Sequence, residues 1–266
     1  MIGQNKNKEL LMQWRMNKSV PRFIIIEGDE GSGRLELAKV IMKIINATGI
    51  IAGNGIADVR EIIENAYTVT DTTCYIFRNA DDMSNSAKNS LLKVVEEPPN
   101  KAYFIMTVKN IDDMLGTIRS RATCIKMQPY TLEQLKSACN DNLVLKYINS
   151  IGQAKTLEKT QITKAEKVVL NVIESLNNKS GLNLLKETTN LKAKDTDEDK
   201  IDCELFVKIF ENNLPIHLMK YDTFESLEVC KKELKKSAIS KKMSVECMLL
   251  RILENMKNAD ISSQMG

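Results

Sequence analysis

One stretch, Thr73 to Arg121, limits the possible folds of this 266-residue chain more than any other. It holds an apolar run, Cys74 to Phe77, that stops at Arg78-Asn79. A helical pattern follows over Ser84 to Glu97, with Leu91, Leu92 and Val95 on one face, and Pro98-Pro99 stops it. A second buried-type strand, Tyr103 to Val108, leads into a short turn of helix ending in Ser120-Arg121. Strand, helix, strand at this spacing predicts a βαβ crossover, with both strands parallel in one sheet and the helix covering it. Ligands of such sheets bind at the carboxyl edge.

The flanking segments extend the same pattern. Lys6 to Met16 predicts an amphipathic helix carrying Leu10, Leu11 and Trp14 at helical spacing. Arg22 to Glu27 is a β-branched run that fits a strand buried on both faces. A glycine-rich turn, Gly28 to Leu35, opens a helix through about Asn46, the context in which a phosphate-binding loop has meaning. Gly49 to Gly55 predicts a short edge strand, Asp58-Val59-Arg60 opens a helix to about Tyr67 with Ile62 and Ile63 inward, and Thr123 to Met127 is a last strand closed by Pro129.

From Thr131 the character changes. Thr131-Leu132-Glu133-Gln134 is a capping-box signature, and helical patterns then cover Glu133 to Ala138, Asn142 to Asn149, Gly152 to Lys159, Lys164 to Leu176 and Leu182 to Lys186. The charged run Lys192 to Lys200 predicts a solvated linker or a helix start. Three more amphipathic helices follow over residues 201 to 258, then a frayed tail, Asn258 to Gly266. The expected division is an α/β domain over residues 1–129, a small helical lid domain over 130–190 and a helical C-terminal domain over 191–266.

Composition excludes several classes. Aromatics make up 5% of the chain, too few for single-strand stacking platforms. A net charge of +3 leaves any nucleic-acid contact to a local patch. Six scattered cysteines without a CxxC pair and a single histidine, His217, lack the ligand set of a zinc site. The cysteines are expected to be reduced core residues of a cytoplasmic protein, and His217 to be an ordinary surface or core histidine. No run approaches a membrane span, and no signal-peptide core is visible at the N-terminus.

Several motifs then fall in the order of one family. Ile2-Gly3-Gln4, the glycine loop at 28–35, Asp58-Val59-Arg60, Ala80-Asp81-Asp82-Met83, Asn89 to Pro99 (NSLLKVVEEPP) and Thr117-Ile118-Arg119-Ser120-Arg121 are its pieces. The chain resembles the delta-prime and gamma/tau subunits of the bacterial clamp loader, members of the AAA+ ATPase superfamily. The resemblance covers residues 1 to about 160 and is most specific over 80–121. It implies a parallel P-loop-type sheet with flanking helices, a helical lid and a helical collar-like domain. It also implies a role in placing a sliding clamp on primed DNA, beside gamma/tau-like ATPase and delta-like subunits.

The departures fall on chemistry. In the degenerate nucleotide site, Gly28, Gly31, Ser32 and Gly33 keep the loop, but Arg34 and Leu35 stand where a working P-loop needs lysine and a magnesium-binding Ser or Thr. Arg78 and Asn79 replace the acidic pair expected after the third strand. Arg78 is expected to bring a positive charge to the cation position, a repulsion of roughly 4 kcal/mol at about 4 Å and intermediate dielectric. Asn79 removes the carboxylate that would orient the attacking water. Val108-Lys109 stand at a sensor-threonine position and Gln153 at that of a lid arginine. The segment 46–58 is too short for the family's four-cysteine zinc module and contains no cysteine. No metal and no cofactor are expected, although a structural nucleotide site using Arg34 and Arg78, or slow hydrolysis, stays open.

One element of the chemistry is kept. Ser120-Arg121 matches the family's S-R-C motif with Ala122 for cysteine, and the resemblance implies that Arg121 reaches a neighbouring subunit's ATP as an arginine finger. The competing reading pairs Arg121 with a local acid, Asp112 or Asp113. Ser84, Ser86 and Lys88 fit either a helix N-terminus aimed at DNA phosphate or an ordinary capped helix. Glu96-Glu97-Pro98-Pro99 reads as a helix stop, and the pairs Lys231-Lys232, Lys235-Lys236 and Lys241-Lys242 as a solvated face.

Overall fold

The computed structural model describes residues 2–193, 197, 199–234 and 240–265. Parts of the charged run at 192–200 and the Lys235-Lys236 pair therefore lie outside the described residues. The chain forms two compact units, residues 1–140 with 149–156, and 141–148 with 157–266.

The first unit is built on five parallel strands: β1 (Phe23–Glu27), β2 (Thr48–Ala52), β3 (Thr73–Phe77), β4 (Ala102–Val108) and β5 (Thr123–Lys126). Their order is β2-β3-β4-β1-β5, so β1 lies between β4 and β5, with Ile25 opposite Met106 and Cys124. Alternation in the strands divides the core in two. Phe23, Ile25, Tyr75, Phe77, Phe104 and Met106 face one layer, and Ile24, Ile26, Cys74, Ile76 and Ile105 face the other. Helices α1 (Asn5–Asn17) and α2 (Arg34–Ile44) cover the second face with Leu11, Trp14, Leu37 and Ile41. Helix α3 (Ile56–Thr68) closes the first face with Val59 and Ile62. Burial on both faces explains why the strands read as continuous apolar runs.

The helix expected over Ser84 to Glu97 is broken in two, α4 (Asn85–Ser90) and α5 (Leu92–Glu96). Ser84 caps α4, its hydroxyl accepting from Ala87 N at 3.2 Å. At Leu91 the backbone tightens, with Leu91 N bonded to Lys88 O. Both side chains turn inward there: Leu91 is fully buried and Lys88 only 4% exposed. A 3₁₀ turn, Ile111–Asp113, and helix α6 (Gly116–Arg119) lead into β5. Helices α7 (Leu132–Lys136) and α9 (Ile151–Thr156) complete the unit, and the Thr131–Gln134 capping box forms as the sequence predicts.

The second unit is helical: α8 (Asn142–Tyr147), α10 (Lys159–Asn177), α11 (Gly181–Thr188), α12 (Cys203–Asn212), α13 (Tyr221–Leu234) and α14 (Lys241–Met265). Within the span 130–190, α7 and α9 belong to the first unit and α8, α10 and α11 to the second. Helix α10 contributes a buried stripe including Ile162, Val169, Val172 and Leu176, and Phe206 stacks on Phe210 in α12. The backbone of α14 stays helical through Met265, where a frayed tail was expected. No described helix is long and apolar enough to cross a membrane.

The cysteines divide, which corrects the expectation of a uniformly buried set. Cys74, Cys203 and Cys230 are buried, Cys139 is half-buried, and Cys124 and Cys247 are exposed. Cys124 stands on β5, an edge strand where alternate side chains face out. His217 is exposed, its Nε2 2.8 Å from Asn177 Oδ1.

Candidate functional site at the glycine loop and the Ser120-Arg121 turn

The glycine loop leaves the end of β1, a central strand of the sheet, and feeds α2. Its conformation requires glycine at Gly31 and Gly33, with φ of 75° and 92°. Three consecutive loop carbonyls are engaged within the chain. Glu30 O accepts from Ser150 Oγ at 2.9 Å, Gly31 O from Gly152 N at 3.0 Å, and Ser32 O from Tyr130 OH at 2.8 Å. Gly31 and Gly152 meet backbone to backbone: a Cβ on Gly152 would stand 2.3 Å from Gly31 Cα. Gln153 accepts from Asn149 N and supports that turn, which is the role the structure gives it.

Arg34 points inward at the first turn of α2 and is 9% exposed. Its Nη2 donates to Asn79 Oδ1 at 3.2 Å, tying the loop helix to the end of β3. Burial lowers the guanidinium pKa, and Asp81, then Glu30, Asp29 and Asp82 oppose that shift. Asn79 adopts the left-handed conformation at φ 49°, tolerable for asparagine, and its N–H donates to Thr107 Oγ1 at 3.1 Å. Leu35 is half-buried and packs against the second-face core. Arg78, expected to carry its charge into the cation position, is instead exposed, and the guanidinium approaching the end of β3 is that of Arg34. Val108 is fully buried. Lys109 lies over the loop, with Nζ 3.6 Å from Glu30 and its backbone N–H donating to Asp81 Oδ2 at 2.8 Å. Among the described residues no cluster of three His, Cys, Asp or Glu could hold a metal ion.

Arg121 lies at the far end of the block, just before β5. Its Nη1 donates to Thr117 O at 3.0 Å and approaches Ser120 Oγ at 3.4 Å, while Nη2 is 3.1 Å from Glu96 Oε1. The side chain stays 42% exposed. Of the local acids anticipated for it, Asp112 or Asp113, Asp112 pairs with Arg119, and the local acid that Arg121 meets is Glu96.

Of the three residues read as a possible DNA contact, Ser84 and Ser86 are exposed. Lys88 is not: its ammonium donates to Asp81 O at 2.9 Å and Asp113 O at 2.8 Å. It braces two turns from inside and is withdrawn as a phosphate contact. Sequence reasoning missed Ser150, Gly152, Tyr130 and Thr107, because nothing local in the chain signals that these distant residues return to the loop.

With this geometry in view, the comparisons are specific. The family described as "DNA polymerase III, delta subunit" matches residues 44–131, spanning β2 to the start of α7. DNA polymerase III subunit gamma/tau of Mycoplasma genitalium is 25% identical over 253 residues, covering 82% of this chain and 40% of that protein. Subunit delta' of Bacillus subtilis is 23% identical over 194 residues, covering 69% and 59%. Over these spans the chain is similar to clamp-loader subunits of DNA polymerase III, of the gamma/tau and delta' kinds. The fold agrees with a crystal structure of a DNA polymerase III gamma subunit-related protein from Thermotoga maritima, at a TM-score of 0.54 and 16% identity, covering 92% of this chain and 98% of that one. The chain spans about two fifths of the gamma/tau relative and three fifths of the delta' relative.

Proposed function

We propose that the chain is an ATPase-deficient, delta-prime-like subunit of a DNA polymerase III clamp loader. It acts as a structural partner in loading a sliding clamp on primed DNA and lends Arg121 to the ATP site of a neighbouring gamma/tau-like subunit. The observation that carries this reading is that the residues at the expected lysine and magnesium-ligand positions are turned to contacts within the chain. Arg34 is tied to Asn79, and three loop carbonyls are held by Ser150, Gly152 and Tyr130. Without carboxylates at Arg78-Asn79 or a hydroxyl at Leu35, magnesium lacks the anionic and hydroxyl ligands those positions normally supply, and Asn79 Oδ1 already accepts from Arg34. Arg121, by contrast, stands half-exposed on a turn anchored by the fully buried Ile118. The helical C-terminal region supplies the contact with other subunits, a role supported by the exposed apolar side chains Ile216, Met219, Tyr221 and Phe224.

A second reading keeps nucleotide binding without hydrolysis, or with slow hydrolysis. It is favoured by two buried polar atoms beside the loop, Arg34 Nη1 and Ser32 Oγ, that find no hydrogen-bond partner among the described residues. Titrating the purified chain with a fluorescent ATP analogue separates the readings. No saturable binding is expected; saturable binding, with no turnover or with slow magnesium-dependent turnover, selects the second reading and overturns the first. In a complex reconstituted with the partner ATPase, Arg121→Ala should lower stimulated hydrolysis toward the loss of about 10³-fold or more seen for arginine fingers, with assembly intact. Unchanged hydrolysis in the assembled complex refutes the finger.

A further inference from the structure

The Glu96-Glu97-Pro98-Pro99 stretch ends α5, and its prolines suffice for that. They leave the acid at Glu96 unexplained. A negative charge in the last turn of a helix opposes the macrodipole and is locally unfavourable. Its reason is therefore non-local, and the structure supplies one in Arg121, 3.1 Å away.

The two sides of this contact are firmly held. Helix α5 is anchored through Val94, which is fully buried, and Val95, and α6 through Ile118. The guanidinium is gripped at two points of its planar fork, Nη2 by Glu96 and Nη1 by Thr117 O. Fixing both ends of a planar group sets its direction as well as its position. The neighbouring arginine does not compete, because Arg119 is paired with Asp112. Glu96 and Arg121 remain 52% and 42% exposed, so the contact orients the guanidinium without withdrawing it from a partner.

We infer that Glu96 is a positioning residue that pre-orients Arg121 for an ATP site on an adjacent subunit. The inference rests on the finger reading above. An exposed ion pair supports an effect of about two- to five-fold in rate.

The test uses the complex reconstituted with its partner ATPase, comparing Arg121→Ala, Glu96→Gln and Glu96→Asp. Glu96→Gln should lower kcat by about two- to five-fold with KM for ATP and assembly unchanged, and the gap to wild type should narrow with added salt. Glu96→Asp, which keeps the charge, should recover part of the loss. Wild-type kcat for Glu96→Gln beside an impaired Arg121→Ala overturns the positioning role and leaves the finger standing. A loss that tracks weakened assembly or a lower unfolding midpoint assigns Glu96 to structure and also overturns it. If Arg121→Ala itself has no effect, the finger reading fails first.

Discussion

Replacing Gly152 by alanine probes the closure of the loop directly. The added Cβ would stand 2.3 Å from Gly31 Cα and 2.9 Å from Gly31 O, both backbone atoms of a loop already committed to positive φ. Neither side can rotate away, so α9 and the loop must separate, and the Gly152 N–H bond to Gly31 O is stretched or lost. That bond contributes about 0.5–1.5 kcal/mol. Overpacking a tight contact adds about 1–3 kcal/mol. Alanine in a helix returns up to about 1 kcal/mol against glycine. With the full return, the net expectation is a destabilisation of about 0.5–3.5 kcal/mol. Gly116→Ala is the matched control: it also lies in a short helix, but nothing stands within 4 Å of its Cβ, so the change should be neutral or stabilise by up to about 1 kcal/mol. The chain has a single tryptophan, Trp14, 8% exposed in the first unit, so its fluorescence in urea reports on the relevant unit alone. Equal transitions for the two variants would show that α9 does not close on the loop as described.

Two other perturbations test parts of the same unit and its neighbour. Lys88→Met keeps an unbranched side chain one atom shorter but leaves Asp81 O and Asp113 O without the ammonium they accept from. Urea unfolding read by Trp14 should show a loss of about 2–4 kcal/mol, and an unchanged midpoint would return Lys88 to the surface role first considered. Burial pushes the thiols of Cys74, Cys203 and Cys230 up to about 12 from 9.0, so in native protein a thiol reagent at pH 8 should reach Cys124 and Cys247 first and leave those three until denaturant is added. Because the folded state holds these protons more tightly than the unfolded state, their contribution to stability is full below about pH 9 and falls as pH rises from about 9 to 12. Alkaline unfolding that is unaffected by Cys→Ala changes at all three sites would contradict that linkage.

The scaffold was legible because its signals are local. A two-sided parallel sheet needs continuous apolar strands, and Phe23 to Ile26, Cys74 to Phe77 and Phe104 to Met106 supply them in the predicted places. The Thr131–Gln134 box announced α7 for the same reason. What escaped was long-range. The break between α4 and α5 depends on Lys88 reaching carbonyls 7 and 25 residues away. The fate of Arg78 against that of Arg34 depends on which side chain the packed sheet turns inward. Ser150 meets Glu30 across 120 residues, a pairing that no window of sequence can reveal.

The substitutions in the glycine loop are best understood as a set. Arginine at 34 is long enough to span from α2 to the end of β3, and it needs a neutral acceptor there, which Asn79 provides. A second basic residue, Lys109, then approaches the loop from the end of β4 and pairs with Glu30. Leucine at 35 adds packing between α2 and the second-face core. Each change is intelligible once the others are in place, and reverting one leaves the rest mismatched: lysine at 34 would lack the planar fork that meets Asn79, and aspartate at 78 would stand exposed beside an arginine already committed elsewhere. On the proposed ATPase-deficient reading, nucleotide chemistry should require Arg34→Lys, Leu35→Thr, Arg78→Asp and Asn79→Glu together. Measurable magnesium-dependent ATP binding by Arg34→Lys alone would show that the loop is not organised as a coupled unit.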